Sequence, residues 1–302
     1  MTKTSTATET KTGRMPSGMD AMEQLIPLED DCMFTAVMRN KDACTGFLEA
    51  LFGGRKVRDV EYVNPREHQV QKHLVFNPSE KSIRMDVYFE DSDAVYDIEL
   101  QRTDEGDLPR RARMYSSYMD TGILGKGMDY RRLRDSYVVF VCKFDPFDRG
   151  EKLYHFETVD RRHADLKTND GRHIMFLNTK GTVGELGPDM EALFSYINGG
   201  EGAIGMETGS PYVDRLDGYV RRLNMDETWR MEHMKYELSL EQRFRDGEQA
   251  GISQGISQGR LEGMAEEKRR MVKSLKEQCV PLDVIAKASS LNMDEIDRIL
   301  KG

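Results

Sequence analysis

The chain reads as an α/β domain followed by a helical C-terminal region, and three observations predict this. Apolar residues recur at helical spacing through residues 31–52, at Phe34, Val37 and Met38, then Phe47, Leu48, Leu51 and Phe52. Residues 83–90 and 94–101 alternate apolar and polar side chains as strands do, while 136–144 (SYVVFVCKF) is a continuous β-branched and aromatic run. Such a run is expected of a strand buried on both faces. Beyond Asp214 the pattern turns helical and very polar.

Taken in order, the first 20 residues are Thr/Ser-rich and almost free of large apolar groups, which suits a disordered tail. One or two amphipathic helices follow over 31–52, ending at Gly53-Gly54 as a C-cap. Residues 57–63 alternate as a strand, and the polar, proline-punctuated 64–82 reads as a loop. The two strands 83–90 and 94–101 are joined by a tight polar turn. Residues 108–124 return to helical spacing, and Pro146 ends the apolar strand that comes next. Shorter strands are predicted at 153–157 and 173–177, then a helix from about 185 to 197.

Glycines at 247, 251, 255, 259 and 263 recur every fourth residue. Each costs about 1 kcal/mol against alanine in a helix interior. The segment is therefore either a weak helix that allows close backbone packing or a flexible connector, and the connector is the reading adopted. The final stretch regains helical periodicity, with Pro281 placed to open one short helix and Asn292 to cap another. It suits a docking tail or a small helix-turn-helix-like unit. The expected organisation is a tail (1–20), an α/β domain (21–200), a helical extension (201–245), and a glycine-punctuated connector with a small helical tail (246–302).

The 302 residues are 38% hydrophobic, enough for a core, but 32% charged. No apolar run approaches the roughly 20 residues needed to span a bilayer, and no secretory h-region opens the chain. No membrane association is expected. The cysteines at 32, 44, 142 and 279 form no C-x-x-C pair, which argues against a zinc site or a disulfide framework and for a reducing cytoplasm. A net charge of -9 excludes a broad basic coat for nucleic acid. It leaves room for a local basic patch, and Arg102, Arg110, Arg111, Arg113, Lys126, Arg131, Arg132 and Arg134 outnumber the acids between them. A solvated helix face would look the same.

Strand alternation puts Ile83, Met85, Val87 and Phe89 on one face and Arg84, Asp86, Tyr88 and Glu90 on the other. In the next strand Tyr96, Ile98 and Leu100 oppose Asp97, Glu99 and Gln101. A two-residue turn at Ser92-Asp93, or a four-residue one, pairs Asp86 with Glu99 and Arg84 with Gln101. A three-residue loop without a bulge would throw the two acids onto opposite faces. The apolar residues want one face, which selects the first register. Two adjacent carboxylates with a polar neighbour suit Mg²⁺ or Mn²⁺, which polarises a phosphodiester and activates water. Exposed acids on a solvated strand are the bland alternative. The six histidines show no H-x-x-H or similar ligand spacing, Gly53-Gly54-Arg55-Lys56 lacks Walker spacing, and Trp229 reads as a packing anchor.

The run MDVYFED…YDIELQR, then LPRRARMYSSYMDTGILGKGMDYRRLRDSYVVFVCKFDPF and FLNTKG, resembles the PD-(D/E)XK nuclease family transposases, which include the Rpn-type recombination-promoting nucleases. The similarity extends from about Leu28 to Ile197, and the glycine-punctuated tail resembles the family's C-terminal region. The resemblance implies a restriction-endonuclease-like αβββαβ core with a mixed sheet. It also implies a metal-dependent DNA endonuclease using Mg²⁺ or Mn²⁺, leaving 5′-phosphate and 3′-hydroxyl ends and associated with recombination or transposition. The first motif acid falls on Asp86 and the second motif, E-x-Q in this branch, on Glu99-Leu100-Gln101. Asp86, Glu99 and the Leu100 carbonyl would bind metal, and Gln101 stands where the broader superfamily has lysine. Neutral Gln can only hydrogen-bond and orient water, so the metal must do more of the activation. Arg111 and Tyr115 match an R-x-x-x-Y pattern one helical turn apart, for phosphate positioning or bracing. Asp31 or Glu49 would be the first-helix acid that some relatives use. An inactive DNA- or protein-binding module and an RNA-directed nuclease remain alternatives. DNA is the expected partner, and the C-terminal helical region is the expected element of any self-association.

Overall fold

The structure, a computed structural model, describes residues 24–57, 61–62, 87–123, 127 and 129–301. The expected tail at 1–20, the loop at 64–82 and Asp86 itself lie outside the described residues.

Two helices open the described chain, α1 (Asp31–Met38) and α2 (Lys41–Leu51). Asp30 caps the first by accepting from the Met33 amide, and Asn40 caps the second by accepting from the amides of Asp42 and Ala43. Asn40 is thus what divides the apolar stretch in two, because its side chain satisfies amides that a continuing helix would not leave open. Gly53 and Gly54 take positive φ, and the Gly54 amide closes onto the Glu49 carbonyl at 2.7 Å, a glycine C-cap.

A mixed sheet follows, ordered β1-β2-β3-β4-β6-β5 among the described residues. Its strands are β1 (Glu61–Tyr62), β2 (Val87–Glu90), β3 (Ala94–Gln101), β4 (Asp135–Cys142), β5 (Leu153–Phe156) and β6 (Arg172–Asn178). β1, β2 and β3 are antiparallel neighbours; β4 and β6 run parallel to β3, and β5 is antiparallel to β6. Helix α3 (Leu108–Ile123) makes the crossover from β3 to its parallel neighbour β4, a connection too long for a hairpin.

The hairpin β2–β3 turns through Ser92 and Asp93. The Asp91 carboxylate accepts from the amides of Asp93 and Ala94 and from the Tyr96 hydroxyl, at 2.8, 2.7 and 2.9 Å. This side-chain clasp sets a two-residue loop, and the register is Val87↔Ile98, Tyr88↔Asp97, Phe89↔Tyr96 and Glu90↔Val95. Val87, Phe89, Tyr96, Ile98 and Leu100 accordingly share one face. That face is covered by α1, α2, α4 (Pro188–Gly199) and α5 (Pro211–Met225). The other face carries Tyr88, Val95, Val138, Phe140 and Phe176 beneath α3. β4 is buried from Val138 to Cys142 on both sides, as its unbroken apolar run predicts.

The sequence puts the domain end near residue 200, whereas the first compact unit runs to Arg230. The reason is packing: Tyr212, Val213, Leu216 and Val220 of α5 lie in the same core as α1 and α2. Gly46 lets this happen, since a Cβ there would sit 2.4 Å from the Tyr212 ring. Trp229 packs against the same core, in keeping with an anchor.

In the second unit, Met231–Gly302, the connector reading is corrected. Helix α6 (Glu227–Glu277) runs unbroken through the glycine repeat. Strong helix formers at 248–250 and 260–262, the glutamines at 254 and 258, and contacts such as Arg245–Glu241 and Gln258–Glu262 four residues apart offset the glycine cost. Among the described residues, a Cβ at Gly247, Gly251, Gly255, Gly259 or Gly263 would meet nothing within 4 Å. Pro281 and Asn292 begin α7 (Leu282–Ser289) and α8 (Met293–Lys301); Asn292 exchanges hydrogen bonds with Glu295 in a capping box. Val272, Ile285 and Ile296 form a small core for the three helices.

Candidate active site

The side chains of Asp97, Glu99 and Gln101 project from the α3-facing side of β3, because they alternate with Tyr96, Ile98 and Leu100 on the core side. Helix α3 brings Arg111 and Tyr115 down onto them from one face, four residues apart. Arg111 Nη1 donates to Gln101 Oε1 at 2.9 Å, and Nη2 donates to Glu99 Oε2 at 3.4 Å and to the Tyr115 hydroxyl at 3.2 Å. The guanidinium carbon also lies 5.7 Å from the ring centroids of Tyr115 and Phe140. Four of the residues singled out from sequence are thereby one connected group: Glu99, Gln101, Arg111 and Tyr115.

Burial gives this group its electrostatic character. Asp97 is 0% and Glu99 1% exposed, so neither is the solvated strand acid that alternation alone allows. Burial opposes the charge on Arg111, yet the Tyr115 hydroxyl, Glu99 and Asp107 together push its pKa up. Burial, followed by the Glu99 charge, raises the Tyr115 phenol to about 12 against the opposing pull of Arg111. Tyr115 is thus a neutral hydroxyl at physiological pH. Because Gln101 Oε1 is taken up by the guanidinium, its NH₂ group must point away from Arg111.

Asp31 and Glu49 do not join this group. Their helices pack on the opposite sheet face; Asp31 is exposed, and Glu49 pairs with Lys56 at 3.0 Å and accepts from the Val57 amide. Asp97 carries more weight in the site than its sequence position suggests. The signal was present in its i, i+2 spacing from Glu99, but only the cover supplied by α3 turns that spacing into burial. Asp107, just ahead of α3, adds another carboxylate whose Oδ1 is buried with no hydrogen-bond partner among the described residues.

A family model for the PD-(D/E)XK nuclease family transposases matches residues 32–182. The chain belongs to this family. No curated protein and no solved structure matches it significantly. As a PD-(D/E)XK nuclease family transposase, the chain has the restriction-endonuclease-like fold, with its mixed sheet, flanking helices and helical C-terminal region. Membership points to a nuclease role in transposition or recombination. Nucleases of this family typically use divalent metals, and the buried Glu99 carboxylate offers the kind of oxygen donor that hard divalent cations prefer. Among the described residues, no helix is long and apolar enough to cross a membrane.

Proposed function

We propose that this chain is a divalent-metal-dependent DNA endonuclease acting in transposition or recombination, with Asp86, Glu99 and Gln101 as its central residues. The observation that carries the reading is the Arg111 clasp on Glu99 and Gln101 beneath α3. The hairpin register adds support, because Val87 lies opposite Ile98, the residue just before Glu99, as the sequence-derived register requires. Asp86, Glu99 and the Leu100 carbonyl would hold Mg²⁺ or Mn²⁺. When bound, the ion polarises the phosphodiester and makes an attacking water more acidic.

The chain's own groups account for the rest. Gln101 directs its NH₂ away from Arg111, where it can donate to a water or a phosphate oxygen and orient the attack. Arg111 supplies the fixed positive charge that lysine contributes in the broader superfamily, displaced onto the helix and held by Gln101 itself. A preorganised cation beside the reacting phosphate stabilises charge that develops on its oxygens. Tyr115 keeps its proton and fixes the guanidinium plane. In-line displacement with this polarity leaves a 5′-phosphate and a 3′-hydroxyl.

Cleavage of single- and double-stranded DNA and RNA with Mg²⁺ or Mn²⁺ tests the proposal, comparing wild type with Asp86→Ala and Glu99→Ala. DNA cleavage lost in both variants is the expected result. Unchanged nicking in both would sink the assigned site. Cleavage of RNA alone would replace the substrate class, and no cleavage by wild type on any substrate would leave a binding module.

A further inference from the structure

On the opposite sheet face from Glu99, at the far edge, two histidines and a glutamate converge. We infer that His155, Glu157 and His173 form a second metal site, one for a borderline transition ion such as Zn²⁺ and distinct from the oxygen-donor nuclease centre.

The strands bring these residues together. His155 and Glu157 are two residues apart along β5 and its extension, so they share a face. The register His155↔Met175 and Phe156↔Ile174 puts Glu157 opposite His173 on the neighbouring strand. No H-x-x-H motif is needed, because the third ligand arrives across the sheet.

The distances suit tetrahedral coordination. His155 Nε2 and His173 Nδ1 are 3.0 Å apart, His173 Nδ1 and Glu157 Oε1 3.9 Å, and all three ligand atoms lie within 4.8 Å of one another. Ligands held about 2.0–2.1 Å from a tetrahedral zinc ion are about 3.3 Å from each other, so the two measured edges bracket the required one. Without a metal, one imidazole must donate its proton to the other across the 3.0 Å contact. A metal replaces that proton and leaves a fourth position open to solvent, where His155 and Glu157 are exposed.

Other features prepare the ligands. His173 stacks on Tyr137 at 4.4 Å and 11°, which holds its ring in place. Imidazole nitrogens with one carboxylate favour zinc-like ions over Mg²⁺. Lys167 pairs with Glu157 and competes for the carboxylate. Since β5 is an edge strand whose one strand partner among the described residues is β6, a bound ion would clip it across the pair.

Binding of Zn²⁺ and Co²⁺ to the full-length protein tests this, read by chelator competition and by the visible absorption of Co²⁺. Wild type and a Glu99→Ala variant should both show the intense absorption of tetrahedral Co²⁺. His155→Ala should abolish it. Loss of an outer partner of a ligand already costs about 10–100-fold in affinity, so losing His155 itself should weaken Zn²⁺ by at least ~100-fold. Lys167→Met should bind Zn²⁺ about two- to fivefold more tightly, the worth of one exposed ion pair. Absence of the absorption in wild type would overturn the inference. So would its persistence in both His155→Ala and Glu157→Gln.

Discussion

Arg111→Met is the most revealing perturbation, because it removes the cation that holds the site together while keeping a long, unbranched helix former. The guanidinium contacts Gln101 at 2.9 Å, Tyr115 at 3.2 Å and Glu99 at 3.4 Å. Removing one partner of a fully buried ion pair costs about 3–5 kcal/mol. Here the Glu99 side chain is 2% exposed but Arg111 is 25% exposed. The 3.4 Å separation also exceeds the roughly 2.7–2.9 Å of a strong charge-assisted bond. Both facts reduce the cost, to about 2 kcal/mol. A divalent cation narrows this gap by as much as it binds the variant more tightly than wild type, since Glu99 freed from the guanidinium is a better ligand and each tenfold gain in affinity is worth about 1.4 kcal/mol. Activity would not recover, because a preorganised donor to developing charge is worth about 10²–10³ in rate. Urea unfolding with and without Mn²⁺, alongside cleavage rates, reads both effects. The expected pattern is a stability gap that narrows in metal and an activity gap that does not. If the metal-free variant is as stable as wild type, or if metal leaves the gap unchanged, Arg111 is not the counter-charge of Glu99.

Tyr115→Phe should leave the pH profile of cleavage unchanged below about pH 10, because the wild-type phenol titrates only near 12. The folded state keeps the proton that the unfolded chain releases near pH 10, so this stabilisation is full below that pH and is lost toward pH 12. The variant should therefore lose less stability than wild type over that interval, as measured by the denaturant midpoint. Gly46→Ala should destabilise the first unit by about 1–3 kcal/mol, the cost of overpacking, because the new methyl would overlap the Tyr212 ring; thermal unfolding measures this. Replacing Gly251, Gly255 and Gly259 together by Ala should raise helicity and stabilise α6 by about 2–3 kcal/mol, as nothing crowds those positions. Circular dichroism during heating checks the last, and a loss of helicity would refute it.

Alternation along 83–90 and 94–101 was sufficient for the hairpin register and for the common face of Glu99 and Gln101, since period-two geometry and a two-residue turn are local properties. The i, i+4 spacing of Arg111 and Tyr115 likewise put them on one helix face, and the apolar run of β4 announced its two-sided burial. Local pattern could not say which sheet face α3 would cover, and that choice turned Asp97 and Glu99 from ordinary strand acids into buried ones. It could not attach α5 to the core, because Tyr212 meets Gly46 across 165 intervening positions of sequence only when the chain is folded. Nor could it assemble His155, Glu157 and His173, whose ligand spacing exists across two strands and nowhere along one. The sequence determined most of the elements and their polarity, which follow from short-range periodicity, while the residues proposed for phosphodiester chemistry came from the family resemblance. Tertiary structure decided which of those residues are buried together, because burial and cross-strand proximity depend on how the elements pack.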